Sequence, residues 1–589
     1  MTSKEILEKY LDFYKQNGHK QIPNVSLIPE NDPTLLFVNS GMFPLVPYLS
    51  GEKHPQGKRL LNVQRCLRMD DLDEIGDKIH TLAFHMIGNW SLGDYGKKEQ
   101  LTWKFEFFMN VLKLDPRKIA ITLFAGDSDA PKDAESVSIV KDLFEKYGVN
   151  GEIDKNIWLY SKKQGNWWQR GDAIGELGGP SCEIFYYLGG HDSRGLSPED
   201  HELDFVEMGN SVFMEYKKTE SGWEKLSQAN VDYGGGLERI AMAVQSKKDI
   251  FETDNFYPIV EKIEEMSGKK YLENVYEIRN IADHIRDAVF MAMDGVVPSN
   301  KEQGYILRRV LRRMVRFGKK IGIEKDISVS LVPVVVEMFS WMYPDLVEKQ
   351  ESIRETFSVE EEKFRNILNR VEPKVISALE KSPENIADLA FDFYQSQGFP
   401  VEMFVAIAKE KGIDIDENEL EKRIEKHKAQ SRLGAEGKFK GGLADQSENT
   451  VRYHTATHLL HKALRDMFGD DIVQQGSNIT GERLRFDFNF DRKLTGEEIS
   501  KIEDAIYRVS EQALPVRFEI MSQEEAKKLG AIGTFGEKYG DQVKVYFVGD
   551  SKELCGGPHV KNTKDIGHIK IYKQDKIGEG EMRIYARVF

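Results

Sequence analysis

The chain of 589 residues is 40% hydrophobic and 30% charged, carries 97 acidic against 82 basic residues for a formal charge of −15, and contains three cysteines. This is more apolar material than one ordinary domain needs, so three or four domains are expected; Cys66, Cys182 and Cys555 are too scattered for a disulfide framework and point to a reducing, cytoplasmic setting. The N-terminus lacks a secretory signal and the apolar runs are too short to span a bilayer, while net acidity does not exclude a polyanionic partner, since separate surfaces act separately.

Thr2 and Glu5 fit a capping box ahead of Ile6, Leu7, Tyr10, Leu11 and Tyr14, which predicts a helix ended by Gly18. From Ile22 to about residue 240, short apolar strands such as Thr34 to Val38 and Ile119 to Phe124 alternate with helical stretches and turns, the pattern of a mixed α and β domain. Within it, Arg65-Cys-Leu-Arg68 and the segment His80 to Tyr95 (HTLAFHMIGNWSLGDY) read as strand and loop. Arg68 could hold a phosphate and Phe84 stack a base, although an aromatic sheet core with a surface arginine fits the same residues. Asp232-Tyr-Gly-Gly-Gly-Leu-Glu-Arg239 predicts a strand-to-helix turn where Gly234 and Gly236 allow close backbone approach to a nucleotide and Arg239 meets phosphate; its spacing matches neither the dinucleotide fingerprint nor the P-loop.

Between about Glu277 and Lys440 strand signals nearly vanish, so a helical bundle is expected, with a highly charged stretch from Val359 to Arg370. Arg308, Arg309, Arg312, Arg313 and Arg316 recur at helical spacing beside an apolar stripe, which makes either a phosphate-contacting face or a solvated face pairing with nearby acids. Gly434 to Gly442 reads as a linker. Beyond it, His454 and His458 fall on one helix face, and Cys555 and His559 flank a Gly-Gly turn, together a nitrogen and sulfur set suited to Zn2+. Without Glu after the first histidine this is not the HExxH of metalloproteases, and a lone HxxxH is as well explained by helix packing.

In this order the segments closely resemble the alanyl-tRNA synthetases, over residues 1 to about 410 and from about 450 to the end. NDPTLLFVNSGM, QRCLR, IGNWSLGDY, VDYGGGLERIA, ADHIRDAVFMAMDGVVPSN, GYILRRVLRRMVR, FGEKY and ELCGGPH carry the resemblance. It implies an α+β multidomain chain: a class II antiparallel sheet with flanking helices over 1–245, a helical tRNA-recognition domain over 246–435, a linker at 436–450 and an α+β, zinc-dependent editing domain over 451–589. It implies an alanine–tRNA ligase using ATP and Mg2+, with alanine and tRNA(Ala) as substrates, no membrane, and hydrolysis of Ser-tRNA or Gly-tRNA at a Zn2+ site held by His454, His458, Cys555 and His559. By the same resemblance Arg68 and Arg239 are catalytic and bind ATP with Phe84, Gly234 and Gly236; Asp232 pairs with the alanine ammonium between Trp168, Asn210 and Val212; Asn300, Gln395 and the arginines Arg308, Arg309, Arg312 and Arg313 meet tRNA; and Gln474 lies in the editing pocket.

Departures from the family pattern touch particular roles. Gln395 stands where an aspartate usually reads the acceptor-stem wobble pair, the loop between Arg68 and Asp71 is short, His85 replaces a glutamate, Gly178 and Ser181 replace cysteines, and Pro558 replaces a threonine. The β-barrel that usually precedes the zinc helix and the C-terminal extension have no counterpart, so a shortened, monomeric form is expected. The competing expectations are a stand-alone deacylase of mischarged tRNA with a tRNA-binding front half, and a non-catalytic tRNA-binding regulator.

Overall fold

The structure is a computed structural model of the chain; it describes all residues except 30–34, 70, 71, 73, 382–384, 414, 416–419, 421–446, 534–541, 556 and 579. The linker read at 434–442, the FGEKY segment and Asp71 therefore lie outside the described residues. The chain divides into two compact units, Met1–Ser382 with Gln397–Met403, and Pro383–Ser396 with Phe404–Phe589.

The first unit opens on the expected capping box. Thr2 Oγ1 accepts from the Glu5 N–H at 3.2 Å, the Glu5 carboxylate accepts from the Thr2 N–H at 2.8 Å, and α1 (Ser3–Gln16) buries Ile6, Leu7, Tyr10 and Tyr14. After β1 (Lys20–Gln21) the strand expected at Thr34 to Val38 does not form over the described residues 35–38. Val38 instead makes isolated bonds, donating to the Leu27 carbonyl and accepting from the Leu67 N–H, both at 2.9 Å. Phe37 and Val38 are buried while Leu36 is exposed; over its described residues the run is a loop.

The sheet comprises β1, β2 (Arg59–Leu67), β3 (Ala83–Ser91), β4 (Ile119–Phe124), β5 (Ile157–Tyr160), β6 (Trp167–Gln169), β7 (Leu177–Tyr187), β8 (Phe205–Thr219) and β9 (Gly222–Gly236). Its order is β1-β2-β3-β9-β8-β7-β4-β5, with β6 on β7, antiparallel throughout except for the parallel pairs β1–β2 and β4–β5. Helices α2 (Val46–Leu49), α3 (Lys97–Phe105) and α4 (Ala134–Lys146) lie in its connections, and α5 (Leu237–Val244) leaves β9 directly, the predicted strand-to-helix transition. Alternation along β3 sends Phe84 and Met86 to a cavity and His85 to the other face, against Phe290 and Phe339.

Those two rings belong to a helical layer of α6 (Tyr257–Ser267), α7 (Val275–Met293), α8 (Glu302–Lys320), α9 (Ile327–Phe339) and α10 (Asp345–Leu379). The charged stretch at 359–370 falls inside α10, whose buried stripe runs through Phe357, Phe364, Leu368 and Val371. Two of its acids are not solvated: Glu360 and Glu361 are buried, while Glu362 is exposed, and Glu360 Oε1 lies 3.3 Å from Arg308 Nε and 2.8 Å from Arg312 Nε.

The second unit contains α11 (Ile386–Gln397) through residue 396, most of α12 (Val401–Glu410), then α13 (Glu448–Phe468), β10 (Gln474–Ile479), β11 (Leu484–Asn489), α14 (Gly496–Glu511), β12 (Arg517–Ser522), α15 (Gln523–Lys528), β13 (Gln542–Val548), β14 (Ser551–Leu554), β15 (Ile569–Gly578) and β16 (Glu581–Val588). A four-stranded sheet in the order β10-β11-β16-β15 packs Phe486, Phe488 and Ile584 against Leu460 and Leu464 of α13 and Ile502 of α14. A smaller sheet, β12-β13-β14, has its own core around Val545 and Phe547.

Candidate functional site

One cavity of about 300 Å³ opens on the large sheet of the first unit. Its walls include Arg68, Phe84, Trp168, Asn210, Val212, Asp232, Gly234, Gly236 and Arg239, so every residue expected of a nucleotide or amino-acid pocket faces the same space. The strands explain the grouping. Asp232, Gly234 and Gly236 alternate along β9, Val212 pairs with Asp232 across the ladder, and Asn210 pairs with Gly234. Gly234 keeps the wall open: a Cβ there would stand 2.7 Å from Met86 Sδ. At one end the Arg68 guanidinium lies over the Phe84 ring, 4.9 Å from its centroid, and Arg68 Nε donates to the Asn39 carbonyl at 3.2 Å. Trp168 packs on the apolar cluster of Trp90, Leu177, Val212 and Met214 that floors the other end.

The cavity is electrostatically divided. Asp232 accepts a hydrogen bond from the Trp90 indole at 2.6 Å, yet burial pushes its carboxyl up to about 6. Such an acid is poised for an ammonium partner. Sequence reading missed Glu183 and Glu207, which also line the cavity. Burial and the neighbouring Glu207 push the Glu183 carboxyl up, while Glu207 accepts from Arg239 Nη1 at 3.3 Å. Glu207 and Asn210 are an odd number of residues apart and would face opposite sides of a regular strand; a bulge where Ile184 pairs with Gly209 and the next residue, Phe185, pairs with Glu207, with Gly209 at φ +151°, brings both inward. Glu238, also on the wall, accepts from His85 Nδ1 at 2.8 Å and from Arg286 Nη1 at 3.2 Å; burial raises its carboxyl, but these partners outweigh burial and hold it below the ordinary value.

The arginine face of α8 is ion-paired as well as basic. Arg308 and Arg312 meet Glu360, Arg316 lies 3.5 Å from Glu372, and Arg313 donates to His284 Nε2 at 3.0 Å and to Asn280 Oδ1 at 3.2 Å. Arg308 also donates to Asn300. Gln395 is exposed on α11, in the second unit.

In the second unit the donor atoms of His454, His458, Cys555 and His559 all lie within 4.8 Å of one another. Helix α13 presents the first two at adjacent turns, and the turn after β14 brings the others across. His454 Nδ1 donates to the Pro558 carbonyl at 2.9 Å, which leaves Nε2, 3.4 Å from Cys555 Sγ, as the lone-pair nitrogen. His559 Nε2 is buried without a hydrogen-bond partner. Burial holds His454 at about 3 and lowers His458 and His559 too, so all three imidazoles are neutral, the form that binds a metal ion. The donor set and the orphaned nitrogen fit a tetrahedral N/S ion. Sequence reading also missed Glu553: its buried carboxylate accepts from His461 Nδ1 at 3.1 Å and lies 3.4 Å from His458 Nδ1, the position of an orienting group behind a ligand. Gln474 opens β10, just past Ile472, whose carbonyl is 3.3 Å from His461 Nε2.

Residues 5–480 match the family described as tRNA synthetases class II (A), and residues 543–585 match the threonyl and alanyl tRNA synthetase second additional domain. Among curated relatives, the alanine–tRNA ligase of Borrelia hermsii is 42% identical over 600 residues, covering 100% of this chain and 99% of that one. That of Treponema denticola is 44% identical over 606 residues, with the same coverages of 100% and 99%. Among solved structures, apo S. aureus histidyl-tRNA synthetase has a TM-score of 0.26 at 10% identity, over 41% of this chain and 65% of that chain, a likeness too slight to argue from.

Proposed function

The chain belongs to the class II alanyl-tRNA synthetases, and on that footing we propose how its two sites carry out alanine–tRNA ligation and its correction. ATP and alanine occupy the sheet cavity of the first unit. Arg68 and Arg239 neutralise phosphate oxygens, Phe84 stacks on the adenine, and the bare backbone at Gly234 and Gly236 admits the nucleotide. Asp232 holds the alanine ammonium while Trp168, Asn210 and Val212 enclose its methyl. An alanine carboxylate oxygen then attacks the α-phosphorus, the bond to the β-phosphate oxygen breaks, pyrophosphate leaves and alanyl-adenylate remains. Charge stabilisation and positioning do the catalysis. The class implies Mg2+, which offsets phosphate charge when bound, and Glu183 and Glu207 are the wall carboxylates able to hold it. A hydroxyl at the 3′ end of tRNA(Ala) then attacks the alanyl carbonyl carbon, the acyl–phosphate bond breaks, and AMP leaves with release of the hydroxyl proton, with Asn300, Arg308, Arg309, Arg312, Arg313 and Gln395 as the tRNA contacts.

A pocket of this kind discriminates poorly, since a missing methyl is worth only about 1–3 kcal/mol and an added hydroxyl is hard to exclude. Correction falls to the second unit, where His454, His458, Cys555 and His559 hold Zn2+ for hydrolysis of Ser-tRNA or Gly-tRNA and Gln474 lines the pocket. Zn2+ there supplies Lewis acidity, and Glu553 orients His458.

The observation that carries the reading is the convergence of Arg68, Phe84 and Arg239 with Asp232, Trp168 and Val212 on one cavity. Amino-acid-dependent ATP–pyrophosphate exchange without tRNA tests it. Strong exchange with alanine and weak exchange with serine or glycine is expected; no exchange with any of them would favour the stand-alone deacylase.

A further inference from the structure

Helix α7 carries three polar side chains that neither site uses. Asp283, His284 and Asp287 are each 0% exposed. Each carboxyl directs one oxygen to β3 or the turn leading into it: the Leu82 N–H donates to Asp283 Oδ1 at 3.2 Å and the Ala83 N–H to Asp287 Oδ1 at 3.1 Å. The other oxygens turn to His284 Nδ1, at 3.3 and 3.8 Å. Buried there, the two Oδ2 atoms and Nδ1 face one another without a formed hydrogen bond.

Two carboxyls and an imidazole gathered within 4.8 Å have the form of a metal site. The far side of the ring decides otherwise. Arg313 of α8 donates Nε–H to His284 Nε2 at 3.0 Å, and a guanidinium has no lone pair to offer in return. Nε2 is therefore the acceptor and the proton of the neutral ring sits on Nδ1, which leaves Nδ1 nothing to give a cation. Burial lowers the imidazole's affinity for a second proton, which keeps it neutral. Asp283 Oδ2 is the nearer carboxyl oxygen to Nδ1, 3.3 Å against 3.8 Å for Asp287 Oδ2, which makes Asp283 the acceptor facing the ring N–H; burial and the adjacent Asp283 push the Asp287 carboxyl well above the usual range, which places the carboxyl proton on Asp287.

The segment gripped in this way carries the nucleotide wall. The Leu82 carbonyl accepts the Arg68 N–H at 3.0 Å. The Ala83 carbonyl accepts from Arg286, which also donates to Glu238 at 3.2 Å, and Phe84 lies between Ala83 and His85, the residue bound to Glu238. We propose that Asp283, His284 and Asp287 are positioning residues that lock residues 82–85 and Arg68 against α7, with Arg313 at the outer end setting the polarity of the imidazole, so that the arginine face of α8 and the ATP wall move as one body. This rests on the ATP and tRNA roles given above.

The proton arrangement makes an asymmetric prediction that plain packing does not. Asp287→Asn keeps an acceptor for Ala83 and puts an N–H where the carboxyl O–H was, whereas Asp283→Asn turns an amide donor toward the His284 N–H and the Asp287 O–H. In alanine-dependent exchange by the full chain, Asp283→Asn should raise KM for ATP about tenfold with KM for alanine and kcat changed less than about threefold, while Asp287→Asn stays within about twofold throughout. Bound metal should be the same in both as in the unmodified protein. If Asp283→Asn cannot be recovered folded, Arg313→Met is measured instead, and a rise of about threefold or more in KM for ATP is expected. Equal effects of the two Asn variants, a larger effect at Asp287, loss of a metal equivalent in either, or an unchanged KM for ATP in Arg313→Met would overturn the proposal alone; absence of exchange in the unmodified protein would overturn the ligase reading with it.

Discussion

Lowering the pH from 7 to 5 should weaken alanine binding about tenfold, through the titration of one residue. Burial lifts the Asp232 carboxyl from 3.8 to about 6 against the opposing Trp90 hydrogen bond. Roughly ten in eleven molecules then carry the carboxylate at pH 7 and one in eleven at pH 5, a factor of about ten, or about 1.4 kcal/mol. Asp232→Asn retains an oxygen for the Trp90 N–H but has no charge, so its alanine affinity should be low and flat across this range. The same shift has a consequence for stability. An acid whose folded value is raised stabilises the fold fully below its unfolded value, and that contribution is lost as pH rises through the folded value; here the loss begins near 3.8 and is complete above about 6. A shift of about two units corresponds to roughly 3 kcal/mol. Asp232→Asn should therefore resist urea better than the unmodified protein above pH 6, and the two should converge near pH 4. Calorimetric titration with alanine at pH 5 and 7, with urea unfolding at both, measures each term. Alanine affinity independent of pH in the unmodified protein, or full affinity in the Asn variant, would remove Asp232 as the ammonium's partner.

Arg68→Ala should cut alanine-dependent exchange by roughly a hundredfold or more while leaving metal content intact, as measured by exchange kinetics beside elemental analysis; normal activation in this variant would displace Arg68 from the phosphate. Cys555→Ala should lower bound zinc and let Ser-tRNA accumulate with alanine activation within about twofold of normal, read by elemental analysis and charging with serine, and stoichiometric zinc in the variant would refute the ligand set. Glu553→Gln keeps the shape behind His458 and His461 but removes the charge, so zinc affinity measured by chelator competition should fall about tenfold or more; unchanged affinity would reduce Glu553 to packing.

Much of the chemistry is legible from near neighbours along the chain. The Thr2–Glu5 capping box, the adjacent turns of His454 and His458, and the alternation of Asp232, Gly234 and Gly236 all follow from helix and strand periods that act over a few residues, and each formed where the periods place it. The grouping of His454, His458, Cys555 and His559 was readable across about a hundred residues only because cysteine and histidine are scarce enough for it to stand out. What required the fold is everything that depends on which elements meet. The run at 34–38 has strand-like composition, and its described part is a loop that buries Phe37 and Val38 while its backbone finds isolated partners in place of a ladder. Glu207 reaches the cavity through a bulge that reverses strand parity, a displacement set by the β7–β8 register. The arginines of α8 read equally as a phosphate face or as partners of acids, and only the packing of α10 brings Glu360 against Arg308 and Arg312. The polarity of His284 depends on a guanidinium from the next helix. Sequence determined the local conformations and the residue types of the chemistry, because these rest on short-range sterics and hydrogen bonding; the tertiary structure decided which charges are paired, buried or left facing a ligand, because a side chain's electrostatic state is set by neighbours distant in the chain.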